Sequence, residues 1–319
     1  KVVCYFGSWS VYRPGQGKFD ISYIDPFLCT HLVYTFVGLD SNNNVKVLDA
    51  WQDLPDNWGK DAFGRFNALR KINPEVKTMI AIGGWNEGST KYSQMASSAA
   101  SREQFAKNVV EFVKKYNFDG FDLDWEYPAQ RGGAPEDVEN YIELLKVLKK
   151  ELSKENLILS AAVAAAEVSA SKSFNVREMS KHLDIINIMA YDLHGAWENV
   201  VGLNAPLRAH PDEPEDVQKL AVEACAQYWI DQGGDKDKIV LGMPLYGRAF
   251  QLKEPSETYV GAEARGPGAA GPYTRERGMI GYNEICEAHK KGGWQVVFDE
   301  DRRVPYTYKG DQWIGYDNV

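Results

Sequence analysis

The feature that most constrains the fold is a repeated alternation of short apolar β-rich runs with helical patterns. The runs cover residues 2–9, 31–39, 77–85, 118–128, 157–166, 183–194 and 239–250. Several are apolar throughout, such as Thr78-Met79-Ile80-Ala81-Ile82 and Ile185-Ile186-Asn187-Ile188-Met189. Continuous apolarity marks parallel strands covered on both faces. Helical patterns intervene. Ser101-Arg102-Glu103-Gln104 reads as a capping box, followed by Phe105, Val109, Phe112, Val113 and Tyr116 at helical spacing. Residues 136–152 and 213–230 read the same way. Alternating β and α predicts an α/β fold with a parallel sheet and right-handed crossovers. An open doubly wound sheet shares that pattern, but 319 residues and the strand number favour a (β/α)8 TIM barrel.

The pattern changes after Phe250. Residues 261–271 are rich in Gly, Ala and Pro. Beyond them, Val296-Val297-Phe298 and Tyr306-Thr307-Tyr308 mix aromatic and β-branched residues with charges, as in an antiparallel sheet. The expected organisation is barrel strands 1–7 over 1–250, an α+β lobe inserted after strand 7 over 251–316, and the start of a final βα unit at 317–319. A barrel needs eight strands and the runs supply seven, so the eighth is missing from the sequence as read. An open barrel edge is an aggregation hazard, and the expectation is that the natural protein carries more C-terminal sequence.

The most informative segment is Phe118-Asp119-Gly120-Phe121-Asp122-Leu123-Asp124-Trp125-Glu126-Tyr127-Pro128. On a strand, Asp122, Asp124 and Glu126 share one face, and Phe121, Leu123, Trp125 and Tyr127 the other. Taken alone this is an amphipathic strand with its acids in water. Among strands covered on both sides, the apolar face meets the helices and the acids point into the barrel. Same-face residues lie about 6.6 Å apart, so the acids cannot all ionise freely and at least one pKa rises. Glu126 is nearest the C-terminal end, where barrel active sites open. It is the candidate general acid, with Asp122 and Asp124 orienting it, sharing protons and stabilising positive charge. Two carboxylates on one face of one strand cannot readily flank a bond, as ordinary glycosidases require. The nucleophile must come from elsewhere, and the substrate could supply it.

The acidic residues outnumber the basic ones, 45 to 36, for a net charge of −9. That argues against nucleic acid or an anionic membrane as the main partner. No apolar run approaches the ~20 residues that span a bilayer. Lys1-Val2-Val3-Cys4-Tyr5 already reads as a strand, so a secreted protein would be represented here by its mature chain. Four cysteines are no disulfide scaffold. Cys225 in a helical run reads as a buried thiol. Cys4 and Cys29 sit in or beside the first two strands, and a bridge there would close 24 intervening residues, worth about 3 kcal/mol at most. The five scattered histidines and the cysteines show no metal-site spacing, and no cofactor is expected.

Asp119-x-x-Asp122-x-Asp124-x-Glu126 followed by Tyr127-Pro128 closely resembles the signature of the family-18 glycoside hydrolases, the chitinases. Further similar blocks are Cys4-Tyr5-Phe6, Gly83-Gly84-Trp85-Asn86, Met189-Ala190-Tyr191-Asp192-Leu193-His194-Gly195 and Pro244-Leu245-Tyr246-Gly247-Arg248. The likeness spans the chain and is nearest to animal, arthropod-like members. It implies endo-acting hydrolysis of β-1,4-linked N-acetylglucosamine polymers by a secreted monomer, with chitin or chitooligosaccharides as partners. The implied mechanism is retaining and substrate-assisted: Glu126 protonates the glycosidic oxygen and the sugar's own acetamido oxygen attacks, giving an oxazolinium ion. Asp124 holds the acetamido N–H and Tyr191 donates to its oxygen. Substrate-assisted enzymes of this kind are an exception to the rule of two opposed carboxylates.

The resemblance also implies that Tyr5, Phe36, Trp85, Met189 and Asp192 line the cleaved sugar's subsite. Trp9 and Trp197 become stacking platforms, Tyr246 and Arg248 contact sugar hydroxyls, and Glu276 and Met279 form one cleft wall. Each aromatic has core packing as its plain alternative, Arg248 a structural ion pair and Asn86 a helix cap. Family members continue past 313–319 into an eighth strand that carries a tryptophan floor and a cysteine partner for Cys286; both are absent here. Competing readings are a lectin-like chitin binder without turnover, an endo-N-acetylglucosaminidase acting on N-glycans, and a hydrolase using Asp122, Asp124 and Glu126 as metal ligands.

Overall fold

The computed structural model describes residues 1–318. Val319, the last residue of the expected 317–319 segment, lies outside the described residues. The apolar runs form parallel strands β1 (Val3–Gly7), β2 (His31–Leu39), β3 (Lys77–Gly83), β4 (Gly120–Asp124), β5 (Ile158–Ala164), β6 (Ile185–Met189) and β7 (Ile239–Leu241). They pair in that sequential order, every neighbour parallel. Helices such as Ala99–Lys115 and Asp137–Ser153 return the chain between strands, giving the curled sheet of a (β/α)8-type barrel. Among the described residues β1 and β7 are its edges, and no eighth parallel strand joins them.

Both faces of the sheet are covered, as continuous apolarity predicts. Phe121, Leu123 and Trp125 point outward into the main core with Phe105, Val109, Leu144 and Leu148. Burying each such side chain contributes about 1.5–3 kcal/mol. Val33, Met79 and Ala81 form a small separate cluster with Val3, Phe36 and Ile158.

The structure moves several boundaries. Helix Ala99–Lys115 starts before Ser101, because the Ser98 hydroxyl accepts from the Ser101 N–H at 3.2 Å and caps it. The 213–230 pattern divides into Glu215–Gln218 and Val222–Asp231. At the break, the Val222 and Glu223 N–H groups bond to the carbonyls of Pro206 and Leu207. The run at 118–128 is a strand only to Asp124. There the Gly84 N–H takes the Asp124 carbonyl at 2.9 Å. Gly83 has φ +113°, and a Cβ on it would collide with that same carbonyl.

The run at 239–250 holds two strands of different sheets. After β7 the Gly242 N–H bonds to the Ile188 carbonyl at 2.8 Å and the chain turns away. Strand β8 (Tyr246–Leu252) then pairs antiparallel with β9 (Ala264–Pro267), β10 (Met279–Gly281) and β13 (Gln312–Gly315). Strands β11 (Gln295–Asp299) and β12 (Val304–Lys309) extend that second sheet. The antiparallel sheet thus begins at Tyr246, ahead of the expected 251, and helix Tyr282–Lys291 packs beside it. Its core is Phe250, Leu252, Val304 and Trp313 with Val201 and Leu203.

Cys4 and Cys29 form a disulfide, with 6.1 Å between their Cα atoms, tying β1 to the residues before β2. Cys225 is a buried free thiol whose pKa burial pushes up to about 12. No helix among the described residues is long and apolar enough to cross a membrane.

Candidate active site

Asp122 and Asp124 are carried on β4, and Glu126 stands in the bend just beyond its C-terminal end. All three are buried, at 0%, 4% and 9% exposure. Asp122 is fixed from three other strands. Tyr5 on β1 donates to its Oδ2 at 2.9 Å, Ser160 on β5 donates to its Oδ1, and Asn187 on β6 approaches Oδ1 at 3.4 Å. The register explains the second contact, since Asp122 lies opposite Ser160. Burial raises the Asp122 pKa to about 6, with the Ser160, Tyr5 and Asn187 donors holding it down.

Asp124 is more strongly perturbed. Burial, then the Glu126 and Asp122 charges, push its pKa well above the usual carboxylate range. Its Oδ1 is buried with no partner among the described residues. Burial also raises Glu126, while the Tyr127 hydroxyl, Arg131 and Asp124 hold it back. Asp124 and Glu126 therefore titrate as one unit that holds a proton at pH values where isolated carboxyls have lost theirs.

Tyr191 follows β6 and lies close enough to Asp124, Asp192, Glu126 and Asp122 for burial and their charges to raise its pKa. Its hydroxyl has no hydrogen-bond partner among the described residues. Its ring meets Tyr246 edge-on at 6.1 Å. Gly242 is required beside it, because a Cβ there would collide with the Ile188 carbonyl and press into the Tyr191 ring.

Asp192 has φ +55° and carries a second cluster. Its Oδ1 accepts from the Tyr246 hydroxyl at 2.6 Å and from Arg248 Nε at 2.8 Å. Tyr246 and Arg248 belong to β8, so this cluster joins barrel to lobe. Arg248 also lies 5.2 Å over the exposed Trp197 ring. Met279 is the β-partner of Arg248, and exposed Glu276 adds its charge to the same guanidinium. Across the barrel mouth, exposed Trp9 stacks on Phe36 at 6.0 Å and 11°. Trp85 is exposed just after β3, and Met189 ends β6, half-buried. The residues singled out in the sequence thus fall into an acidic centre, the Asp192 cluster, and exposed indoles: Trp9 and Trp85 just beyond β1 and β3, and Trp197 in the loop after β6 rather than at its end. By contrast Trp125, Trp229 and Trp313 are fully buried packing residues.

Sequence reasoning missed four residues. Ser160 and Asn187 hold Asp122. Asn204 is buried, accepts from the Asp192 N–H at 2.8 Å and donates to the Tyr246 carbonyl at 3.0 Å. Arg131 donates from Nη1 to the carbonyls of Glu126 and Trp85. Only the strand register could have exposed Ser160, which faces Asp122 across a parallel pair; nothing local marks the others. Among the described residues, no three His, Cys, Asp or Glu side chains are grouped so that they could hold a metal ion.

The family model for "Glycosyl hydrolases family 18" matches residues 1–319. "Probable chitinase 2" of Drosophila melanogaster is 44% identical over 93% of this chain and 61% of its own length. The chain spans about three-fifths of that curated relative. The crystal structure of Ostrinia furnacalis Group IV chitinase in complex with allosamidin superposes with a TM-score of 0.95 at 42% identity, covering all of this chain and 86% of that one. Human YKL-39, described as a pseudo-chitinase with retained chitooligosaccharide binding properties, superposes at 0.91 with 36% identity over all of this chain and 85% of its own. Matched from end to end by the family model, the chain belongs to the family-18 glycosyl hydrolases.

Proposed function

We propose that the protein is an endo-acting chitinase that cleaves β-1,4-linked N-acetylglucosamine polymers with retention, using the substrate's own acetamido group as nucleophile. The observation that carries this reading is the buried Asp124–Glu126 pair, both carboxyls pushed toward their protonated forms by burial. Asp192, whose charge also reaches Glu126, is engaged by Tyr246 and Arg248, and Asp122 by Tyr5 and Ser160. A proton source whose neighbouring carboxylates are tied up by protein donors suits a reaction in which the substrate supplies the attacking atom.

In this mechanism Glu126 carries the proton of the pair and passes it to the glycosidic oxygen. The acetamido oxygen attacks the anomeric carbon and forms an oxazolinium ion. Asp124, turned to the ring nitrogen, stabilises the developing positive charge, while Tyr191 orients the acetamido oxygen. Glu126 then takes a proton from water, which opens the ring. Asp122 accepts hydrogen bonds from Tyr5 and Ser160 and keeps Asp124 in its electrostatic setting. The exposed Trp9, Trp85 and Trp197 rings offer apolar faces to pyranoses at low entropic cost. The Cys4–Cys29 disulfide supports a secreted, oxidising location.

Glu126→Gln tests the reading. It keeps size and hydrogen bonding but removes the acid, so turnover of chitohexaose falls at least about 100-fold while calorimetry still detects binding. A variant that turns over at a near-normal rate removes Glu126 from the acid role. Wild-type binding without turnover from acidic to neutral pH favours the lectin reading that the resemblance to YKL-39 keeps in view.

A further inference from the structure

A proton donor needs a fixed stage, because transfer depends on the distance from its carboxyl to the receiving oxygen. Strand β4 does not supply that stage for Glu126. The strand ends at Asp124, two residues short of the acid, so the chain beyond it is held by side chains.

One hydroxyl takes the central part. Ser89 follows β3 and is 1% exposed. Its Oγ accepts from the Trp125 indole Nε1–H at 2.5 Å and donates to the Tyr127 carbonyl at 2.7 Å. Trp125 and Tyr127 are the two residues that flank Glu126. Trp125 itself is packed beside Tyr92 and Tyr141. A single buried oxygen therefore grips the chain immediately before and immediately after the acid. Arg131 also donates to the Glu126 carbonyl, and the Gln130 N–H to the Tyr127 carbonyl at 3.1 Å. Both donors belong to the turn that continues the same segment, whereas Ser89 is carried on a different strand end.

The setting of Ser89 makes this use of its hydroxyl unusual. Ser89 is the N-cap of helix Thr90–Ala96, where a serine oxygen ordinarily accepts from a backbone N–H of the first turn. Its side chain makes no such cap bond. Only its carbonyl serves the helix, accepting from the Ser93 N–H at 2.9 Å. The hydroxyl is spent on the acidic segment instead. The turn that presents it is braced, since Glu87 accepts from the Leu39 N–H and the Tyr92 hydroxyl and pairs with Lys91 at 2.6 Å. Ser93, one turn further, donates to buried Asp137, which also accepts from the Ala129 and Ala134 N–H groups.

We propose that Ser89 is a positioning residue for Glu126: its one hydroxyl pins both neighbours of the acid and so fixes where the carboxyl presents its proton. The proposal rests on the reading of Glu126 as general acid. Without the hydroxyl, a buried indole N–H loses its acceptor and the segment relaxes around it, which moves the carboxyl off its line to the glycosidic oxygen.

The test varies how much the leaving group needs a proton. A sugar departs from chitohexaose only as it is protonated. The dinitrophenolate of 2,4-dinitrophenyl chitobioside departs as a stable anion. Misplacing the acid slows the first substrate and spares the second, whereas a general loosening of the fold slows both. In Ser89→Ala the ratio of kcat/KM for chitohexaose to that for the aryl glycoside should fall at least about tenfold. Ser89→Thr keeps the hydroxyl and should hold the ratio within about threefold of wild type. An unchanged ratio in Ser89→Ala overturns the proposal. So does an equal fall in the threonine variant, which traces the effect to packing volume rather than to the hydroxyl. Should the alanine variant not fold, Ser89→Cys, close in size but only a weak donor and acceptor, is read by the same criteria.

Glu126→Gln, assayed on the same two substrates, separates this proposal from the reading beneath it. If glutamine leaves the ratio at its wild-type value, the acid role fails and the proposal falls with it. If glutamine lowers the ratio and Ser89→Ala does not, the acid role stands and only the positioning role of Ser89 is refuted.

Discussion

Tyr191→Phe separates chemistry from packing unusually cleanly in this site. The half-buried ring packs against the core and against Tyr246, and phenylalanine preserves those contacts. The hydroxyl bonds to nothing among the described residues, so deleting it leaves no native partner unsatisfied. The stability change should stay within about 0.5 kcal/mol, a shift in Tm of no more than a few degrees. The catalytic consequence is different in size. If the hydroxyl donates to the acetamido oxygen during attack, its loss resembles removal of a preorganised donor at a reacting oxygen, worth about 2.7–4 kcal/mol or roughly 100- to 1,000-fold in kcat. The assay is steady-state hydrolysis of chitohexaose alongside thermal denaturation of the same samples. A kcat within about threefold of wild type refutes the orienting role. A large fall in Tm shows instead that the hydroxyl supports the fold.

Asp53→Asn should stabilise the protein at neutral pH. Asp53 is buried against the Tyr34 hydroxyl, and burial raises its pKa from 3.8 to about 6. An acid with a raised folded-state pKa binds more protons folded than unfolded, so its contribution is intact below about pH 4 and is lost as pH rises through about 6. Asparagine still accepts from Tyr34, so denaturant titrations should show a gain of about 1–2 kcal/mol at about pH 7.5 and little change at about pH 4; a gain of equal size at both pH values contradicts the ionisation argument. Arg248→Ala removes one of the two donors to Asp192, and chitohexaose KM should rise about tenfold with kcat changed less. If kcat falls while KM holds, the Asp192 cluster acts on the reaction rather than on binding.

The seven parallel strands were legible because continuous apolarity such as 78–82 suits little besides a strand buried on both faces in a chain of this length. The inward acids were legible for the same reason: β4 had to bury both faces, which sent Phe121, Leu123 and Trp125 to the helices. The split at 239–250 was hidden because β7 and β8 are both β-rich, and the turn between them depends on the Gly242 N–H finding Ile188. Site residues written in local motifs, such as Tyr191, Asp192, Tyr246 and Arg248, were visible as candidates. Ser160, Asn187 and Asn204 were not, because each acts through a partner distant in sequence that only strand register and the barrel-to-lobe contact bring near. Arg131 escaped for a related reason, since its meaning comes from Trp85, which is carried on a different strand end.

The central claim is that the attacking atom belongs to the sugar and that the protein supplies only the proton and the mould. The most direct measurement is the cleavage rate of a chitohexaose series in which the acetamido groups are replaced by free amines. The expected result is a fall of roughly a thousandfold or more, about 4 kcal/mol of lost barrier lowering, with binding still detectable. Comparable rates for acetylated and deacetylated chains would mean that a protein group performs the displacement.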